Sequence, residues 1–308
     1  MKRRTGGKNK LAVIGWICGG FLLLALVAVL VQAYLAKIDW RDVLGETTRK
    51  NEIISVLKAD ILRSVEAEKY AVLADTDEES ELFARQSLSA SEAVEANLEK
   101  LRALVDSGRI EGETRLLRDF DNCWKEFRSI DQKLLEFAVQ NTNLKAARLS
   151  FTRAKEALKR FQSDLTLIMS GASSAGKGPE TANAAFTALA AAFEIYSLQG
   201  PHIIETKDEV MDRIENSMAL ADSQVKDALK KLEGLLQGEG SGQLSRAEVA
   251  FSEFEAINRE IVSLSRQNTN IRSMELSLGS KRKITAECLD NLNALQQTVT
   301  SRPFKATR

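Results

Sequence analysis

Gln140-Asn141-Thr142-Asn143-Leu144 returns as Gln267-Asn268-Thr269-Asn270-Ile271, an offset of 127 (267 − 140). The same offset carries Trp124 onto Phe251, Phe127 onto Phe254, Ile130 onto Ile257, Leu134 onto Ile261 and Leu149-Ser150 onto Leu276-Ser277. Upstream the offset is slightly larger. Thr76-x-x-Glu79 answers to Thr206-x-x-Glu209, and Val94, Leu98 and Leu101 to Val225, Leu229 and Leu232. Matches in the same order across so long a stretch mark a duplicated unit, and a repeat is settled before a fold is assigned.

Each unit reads as four helices. In the first they span Glu46 to Leu73, Glu79 to Val105, Glu113 to Val139 and Leu144 to Met169; in the second, 181–200, 209–236, 244–266 and 271–300. Apolar residues recur at three- and four-residue steps, as in Phe120, Trp124, Phe127, Leu134 and Phe137, which is the helical period. Only 3 prolines, 6% aromatics and abundant Ala, Leu, Glu and Lys favour helix over sheet. The connections are short and carry turn chemistry: Asp75-Thr76-Asp77, Asp106-Ser107-Gly108, Gln140 to Asn143, and Gly238-Glu239-Gly240. Short connections make sequential helices antiparallel neighbours. The expected fold is therefore all-α, with two tandem antiparallel four-helix bundles over 46–172 and 179–302, each able to fold alone. The Gly- and Ser-containing stretch from Ser170 to Pro179 is the expected linker.

Ahead of the repeats, Leu11 to Val31 carries no charged side chain, and Lys37 is the next charge. About 20 apolar residues at 1.5 Å each match a hydrocarbon core of about 30 Å. The first ten residues hold five bases (Lys2, Arg3, Arg4, Lys8 and Lys10) and no acid. The positive-inside rule then makes 1–10 a cytoplasmic tail, 11–36 a transmembrane helix and the remainder periplasmic, on a bacterial-type inner membrane. A cleaved signal peptide ending near Val31-Gln32-Ala33 is the alternative; its apolar core would be unusually long. Gly15 and Gly19 have GxxxG spacing, which lets two anchors pack closely.

The whole chain has 43 basic and 43 acidic residues, so everything after the basic tail is mildly acidic, 38 against 43. That balance, without a basic stripe, argues against nucleic acid as a partner. No phosphate loop, metal-ligand motif or catalytic constellation occurs, so neither enzyme activity nor a cofactor or metal is expected. The lone His202 reads as a surface loop residue. Cys123 and Cys288 sit in helical patterns far apart and read as buried thiols, with a disulfide open only in an oxidising compartment.

Candidate binding residues follow from the topology. Loops Asp75–Asp77 and Gln140–Asn143 share one bundle tip, gathering Asp75, Asp77, Asn141, Asn143 and Lys145; His202–Asp208 and Gln267–Asn270 share the other, with Asn268 and Asn270. A cation or small polar ligand is one reading. The competing one is turn geometry and helix capping, which Asn, and the boxes Thr76-x-x-Glu79 and Thr206-x-x-Glu209, serve well. Asp131 and Asn258 hold matched places on the apolar seam of the third helices. There a polar side chain must be paired, to fix register or to face a crevice between helices.

The segments Glu68-Lys69-Tyr70-Ala71-Val72-Leu73-Ala74-Asp75-Thr76-Asp77-Glu78-Glu79-Ser80 and Ala138-Val139-Gln140-Asn141-Thr142-Asn143-Leu144-Lys145-Ala146, set behind a basic N-terminus and an anchor, resemble the four-helix-bundle sensory domain of methyl-accepting chemotaxis proteins. The resemblance implies a non-enzymatic sensory or ligand-binding module that pairs as a homodimer or works through a signalling partner. No second apolar run follows Val31, so transmission is expected to need that partner. A helical scaffold or spacer of a cell-envelope complex is the alternative.

Overall fold

A computed structural model describes residues 40–172, 178–236 and 240–305, together with residues 27–29 and 31, which are helical. The basic tail and all but those four residues of the 11–36 anchor lie outside the described residues. Among the described residues no helix is long and apolar enough to cross a membrane, and no strand occurs.

We number eight helices. The first three are α1 (Trp40–Leu73), α2 (Asp77–Gly108) and α3 (Glu111–Gln140). Helix α4 runs as Thr142–Leu149, a π turn Ser150–Ala154, then Lys155–Ala172. Next come α5 (Gly178–Ile204), α6 (Asp208–Leu236) and α7 (Ser241–Gln267). Helix α8 repeats the α4 pattern, with Thr269–Leu276, a π turn Ser277–Lys281, then Arg282–Lys305. Local chemistry fits these limits. Thr76 caps α2 by accepting from the Glu79 amide at 3.1 Å, and Asp77, Glu78 and Glu79 place negative charge on its first turn. At the start of α6 the expected Thr206 box is absent; the Glu205 carboxylate takes the Thr206 and Lys207 amides instead, which holds its pKa below the usual range.

The packed bundles differ from the sequence repeats in one respect. Helices α1, α2 and α3 surround a core that is completed by α8, through buried Ile284, Cys288, Leu292, Leu295 and Val299. Helices α5, α6 and α7 are completed by α4, through Ala157, Leu158, Phe161, Leu165 and Ile168. The two repeats have exchanged their fourth helices. The boundary expected between independent units, near 172–179, therefore separates segments of sequence and does not separate packed bodies. The first bundle is 40–140 plus 269–305, and the second is 142–267.

The cause is the length of the hinge. Asn141 and Asn268 are single residues between helices, both in the left-handed region at φ 50° and 53°, which Asn tolerates better than most residues. A helical hairpin needs about two to five linking residues to reverse. One residue cannot fold a helix back along its predecessor, so each fourth helix leads into the opposite bundle. There it runs antiparallel to a third helix, as Asp131 opposite Lys281 with Cys123 opposite Cys288, and Arg160 opposite Glu253 with Asp164 opposite Arg246, show. Lys58, midway along α1, bonds Gln296 at 2.5 Å, and Thr298 lies beside Gly112 at the start of α3, so the later part of α8 runs toward the end of the bundle where α1 begins.

Candidate functional site

Among the described residues, polar side chains gather at the crossing and in one buried layer of each bundle, and buried Lys50 also pairs with Glu113 between α1 and α3. At the crossing the two Asn-Thr-Asn segments pair across a local pseudo-twofold. The Thr142 amide donates to Thr269 Oγ1 (3.1 Å) and the Thr269 amide to Thr142 Oγ1 (3.2 Å). The Asn143 amide donates to Asn270 Oδ1 (3.1 Å) and the Asn270 amide to Asn143 Oδ1 (3.3 Å). Asn143 Nδ2 reaches Asn268 Oδ1 and the Ile203 carbonyl, both at 2.7 Å, while Asn270 Nδ2 reaches Asn141 Oδ1 at 2.9 Å. The first amides of a helix have no partner within it. Here each fourth helix caps the other.

The expected tip residues are therefore brought together more fully than the sequence suggested, in one cluster rather than two. Asp77 accepts from Asn141 Nδ2 at 3.0 Å and lies 3.5 Å from Lys145 Nζ, and Asn268 Nδ2 donates to the Glu205 carbonyl. Asp75 contributes its backbone carbonyl, to Arg148, while its side chain stays exposed. The hydrogen-bonding groups of this cluster are occupied with one another, which makes it a lock between bundles.

Asp131 and Asn258 sit in separate bundles, in equivalent layers. Burial along the first two helices of each repeat coincides at an offset of 131, pairing Ser64 with Ile195, Glu68 with Gln199 and Ser87 with Met218. In the first bundle the layer is charged. Buried Asp131 and Lys281 pair at 2.5 Å, and Lys281 Nζ also stands 3.2 Å from the Phe127 ring centroid. Burial pulls the Lys281 pKa down to about 8, against the opposing pull of Asp131. Glu68 is fully buried nearby, and burial pushes its carboxyl up, with Ser277 and Lys281 offsetting only part. Ser64 on α1 hydrogen-bonds both Ser87 and Ser91 on α2, so the two helices pack closely there. Cys123 and Cys288 form a disulfide between α3 and α8, where the sequence suggested free thiols; the helix exchange is what brings Cys288 to α3.

In the second bundle every member of that layer is neutral. Asn258 replaces Asp131, Gln199 replaces Glu68 and Ala154 replaces Lys281. Ser150, the first residue of the π turn, donates to Gln199 Oε1 (2.7 Å), and Gln199 Nε2 donates to Asn258 Oδ1 (2.9 Å). A crevice of about 340 Å³ opens beside this chain, between α6 and α7. Ile195, Met218, Phe251, Phe254 and Val262 line it, with Asn258 among them. That volume lies within the range of small-molecule sites. Its counterpart between α2 and α3 has Trp124, stacked on Phe127 at 4.6 Å, and a mostly charged lining of Glu95, Glu99, Arg102 and Arg128.

His202, expected on the surface, is fully buried. Helix α5 continues through Gly200 and Pro201 to Ile204, which turns His202 inward between Ser265 (2.8 Å) and Glu215 (2.9 Å). Burial pushes the Glu215 carboxyl up, but Arg266 and His202 outweigh it and hold the pKa below the ordinary value. Among the described residues no group of three His, Cys, Asp or Glu side chains is placed to hold a metal. Comparison with protein families, curated proteins and solved structures finds no match.

Proposed function

We propose that this chain is a membrane-anchored sensory module that binds a small molecule in the α6–α7 crevice and works through a partner protein. The observation carrying the reading is the contrast between equivalent layers. Where the first bundle is tied by a charge pair and a disulfide and lines its α2–α3 groove mostly with charged side chains, the second leaves an apolar crevice with a hydrogen-bonded polar chain at its edge. The charge-free run Leu11–Val31 behind five bases supports an anchor with the helical part in the periplasm. The disulfide suits such an oxidising compartment. The resemblance to chemoreceptor input domains points the same way. A rigid envelope spacer is the second reading, and the reciprocally capped crossing favours it, because that lock stiffens the join between bundles.

A small-molecule thermal-shift screen of the full chain separates the two. A ligand present at a hundred times its Kd stabilises by about 2.7 kcal/mol. Ala219 lines the crevice mouth and is itself exposed, so Ala219→Trp obstructs the site without rebuilding the core. The sensory reading expects hits that this variant loses. A screen whose hits all survive Ala219→Trp, or that yields none, favours the spacer.

A further inference from the structure

The crevice also carries information about what it takes, and this inference rests on the crevice being a ligand site. The hydrogen-bond chain at its edge has a fixed direction. Ser150 donates to Gln199 Oε1, which leaves Gln199 Nε2 as the donor toward Asn258; Asn258 must then present Oδ1 to Gln199 and turn Nδ2 the other way. On that side its partner is Met218 Sδ at 3.8 Å. A thioether is a weak acceptor, so an amide N–H donor faces the crevice with little to satisfy it. The charges around the mouth are paired with one another. Glu215 is held by Arg266, Asp222 by Lys226, and Glu255 by Lys226 and Arg259. Each carboxylate of the lining is thus balanced by a base, Asp222 through Oδ2 while its Oδ1 stays buried without a hydrogen bond, and among the described residues no lining cation is left over for a carboxylate ligand. An ion entering an apolar crevice on those terms loses hydration without compensation.

We infer that the crevice binds a neutral molecule with an aromatic or branched apolar body and one carbonyl or hydroxyl oxygen, the body against Phe251, Phe254 and Ile195 and the oxygen accepting from Asn258 Nδ2. The amide is aligned before the ligand arrives, and the line Ser150–Gln199–Asn258 joins the bound oxygen to the π turn of the exchanged helix α4.

Three probes share one body and differ only in head group: phenylacetamide, phenylacetate and phenethylamine. Binding to the full chain is followed by the methyl resonance of Met218 in protein carrying ¹³C-methyl methionine. The expected result is a saturable shift with phenylacetamide at an affinity at least tenfold above the two ionic probes, abolished by Ala219→Trp. Asn258→Asp keeps the acceptor toward Gln199 and replaces the donor by an anion. It should erase the amide preference and turn it toward phenethylamine. If phenylacetate or phenethylamine binds the native protein as tightly as the amide, the ligand class is overturned while the crevice stands. If no probe moves Met218, the crevice reading falls together with the class.

Discussion

Replacing Asn143 by Ala tests the crossing at its most connected residue. The substitution removes Nδ2, which donates to Asn268 Oδ1 and the Ile203 carbonyl, and Oδ1, which accepts from the Asn270 amide. Asn268 and Ile203 are both buried, so their freed groups gain little from water. Three hydrogen bonds at about 1 kcal/mol each give a loss of about 3 kcal/mol, above the roughly 0.5–2 kcal/mol of an ordinary lost cap. Urea unfolding measures it through the midpoint. A double-mutant cycle with Asn268→Gly, a residue that accepts the left-handed backbone there, then isolates the Asn143–Asn268 bond. The two residues are 125 apart and belong to different repeats. The double variant should cost about 1 kcal/mol less than the sum of the singles, because the shared bond is lost only once. Had each repeat closed on itself, the two side chains would lie in separate tips and the effects would add. Strict additivity, or a single-variant loss under about 1 kcal/mol, refutes the crossing as drawn.

Three further outcomes follow from the same packing. Reducing the Cys123–Cys288 bond, whose separation is 165 residues, should lower stability by up to about 5 kcal/mol on the loop-entropy relation, visible as a lower urea midpoint with reductant; an unchanged midpoint counts against the bond. Residues 40–172 alone should stay largely unfolded as a monomer, lacking the five buried α8 side chains worth roughly 1.5–3 kcal/mol each, and should regain helical circular dichroism when 178–305 is added. Because the Glu68 carboxyl is raised in the folded state, the unfolded chain releases that proton first, so stability falls as pH climbs from the ordinary carboxylate range through the folded pKa; Glu68→Gln should flatten that fall and raise Tm at neutral pH.

Helix number, helix order and the loops that meet at a tip were legible because they depend on apolar period and turn chemistry. The exchange was not, and the repeat itself is the reason. When two units share one apolar pattern, the fourth helix of either fits either bundle, and periodicity cannot choose between them. Only the length of the hinge at Asn141 and Asn268 decides, and Gln-Asn-Thr-Asn reads as a four-residue turn until its Thr and second Asn are seen inside the next helix. Every feature that depends on the exchange was hidden with it: the Cys123–Cys288 bond, the Asp131–Lys281 pair, and the merging of two expected tips into one. His202 was hidden for a local reason, since Gly200-Pro201 looks like a helix stop, although α5 runs on for another turn. Asp131 and Asn258 were found on the seam because the apolar period sets their phase. What separates their roles, a lysine against an alanine on the exchanged helix, becomes visible only once it is clear which helix faces which.

The exchange also determines how a ligand in the second bundle could be felt at the chain ends. The crevice lies between α6 and α7, so a ligand seated there would touch both helices. Helix α6 ends in a connection that returns within the same bundle, and movement there stays local. Helix α7 passes through the single residue Asn268 into α8, which traverses the first bundle and runs past the middle of α1 toward the end where α1 begins. A one-residue link absorbs little displacement, so a shift or rotation of α7 is delivered to α8 rather than lost in a loop. Within the first bundle the disulfide and the Asp131–Lys281 pair fasten α8 to α3, which makes the pair move as a unit against α1 and α2. The line from the crevice into the first bundle therefore runs α7, Asn268, α8 and α3, while α4 leads back toward the crevice. Severing the disulfide should weaken the coupling between crevice and chain ends more than it weakens binding, since no bond at the crevice depends on it.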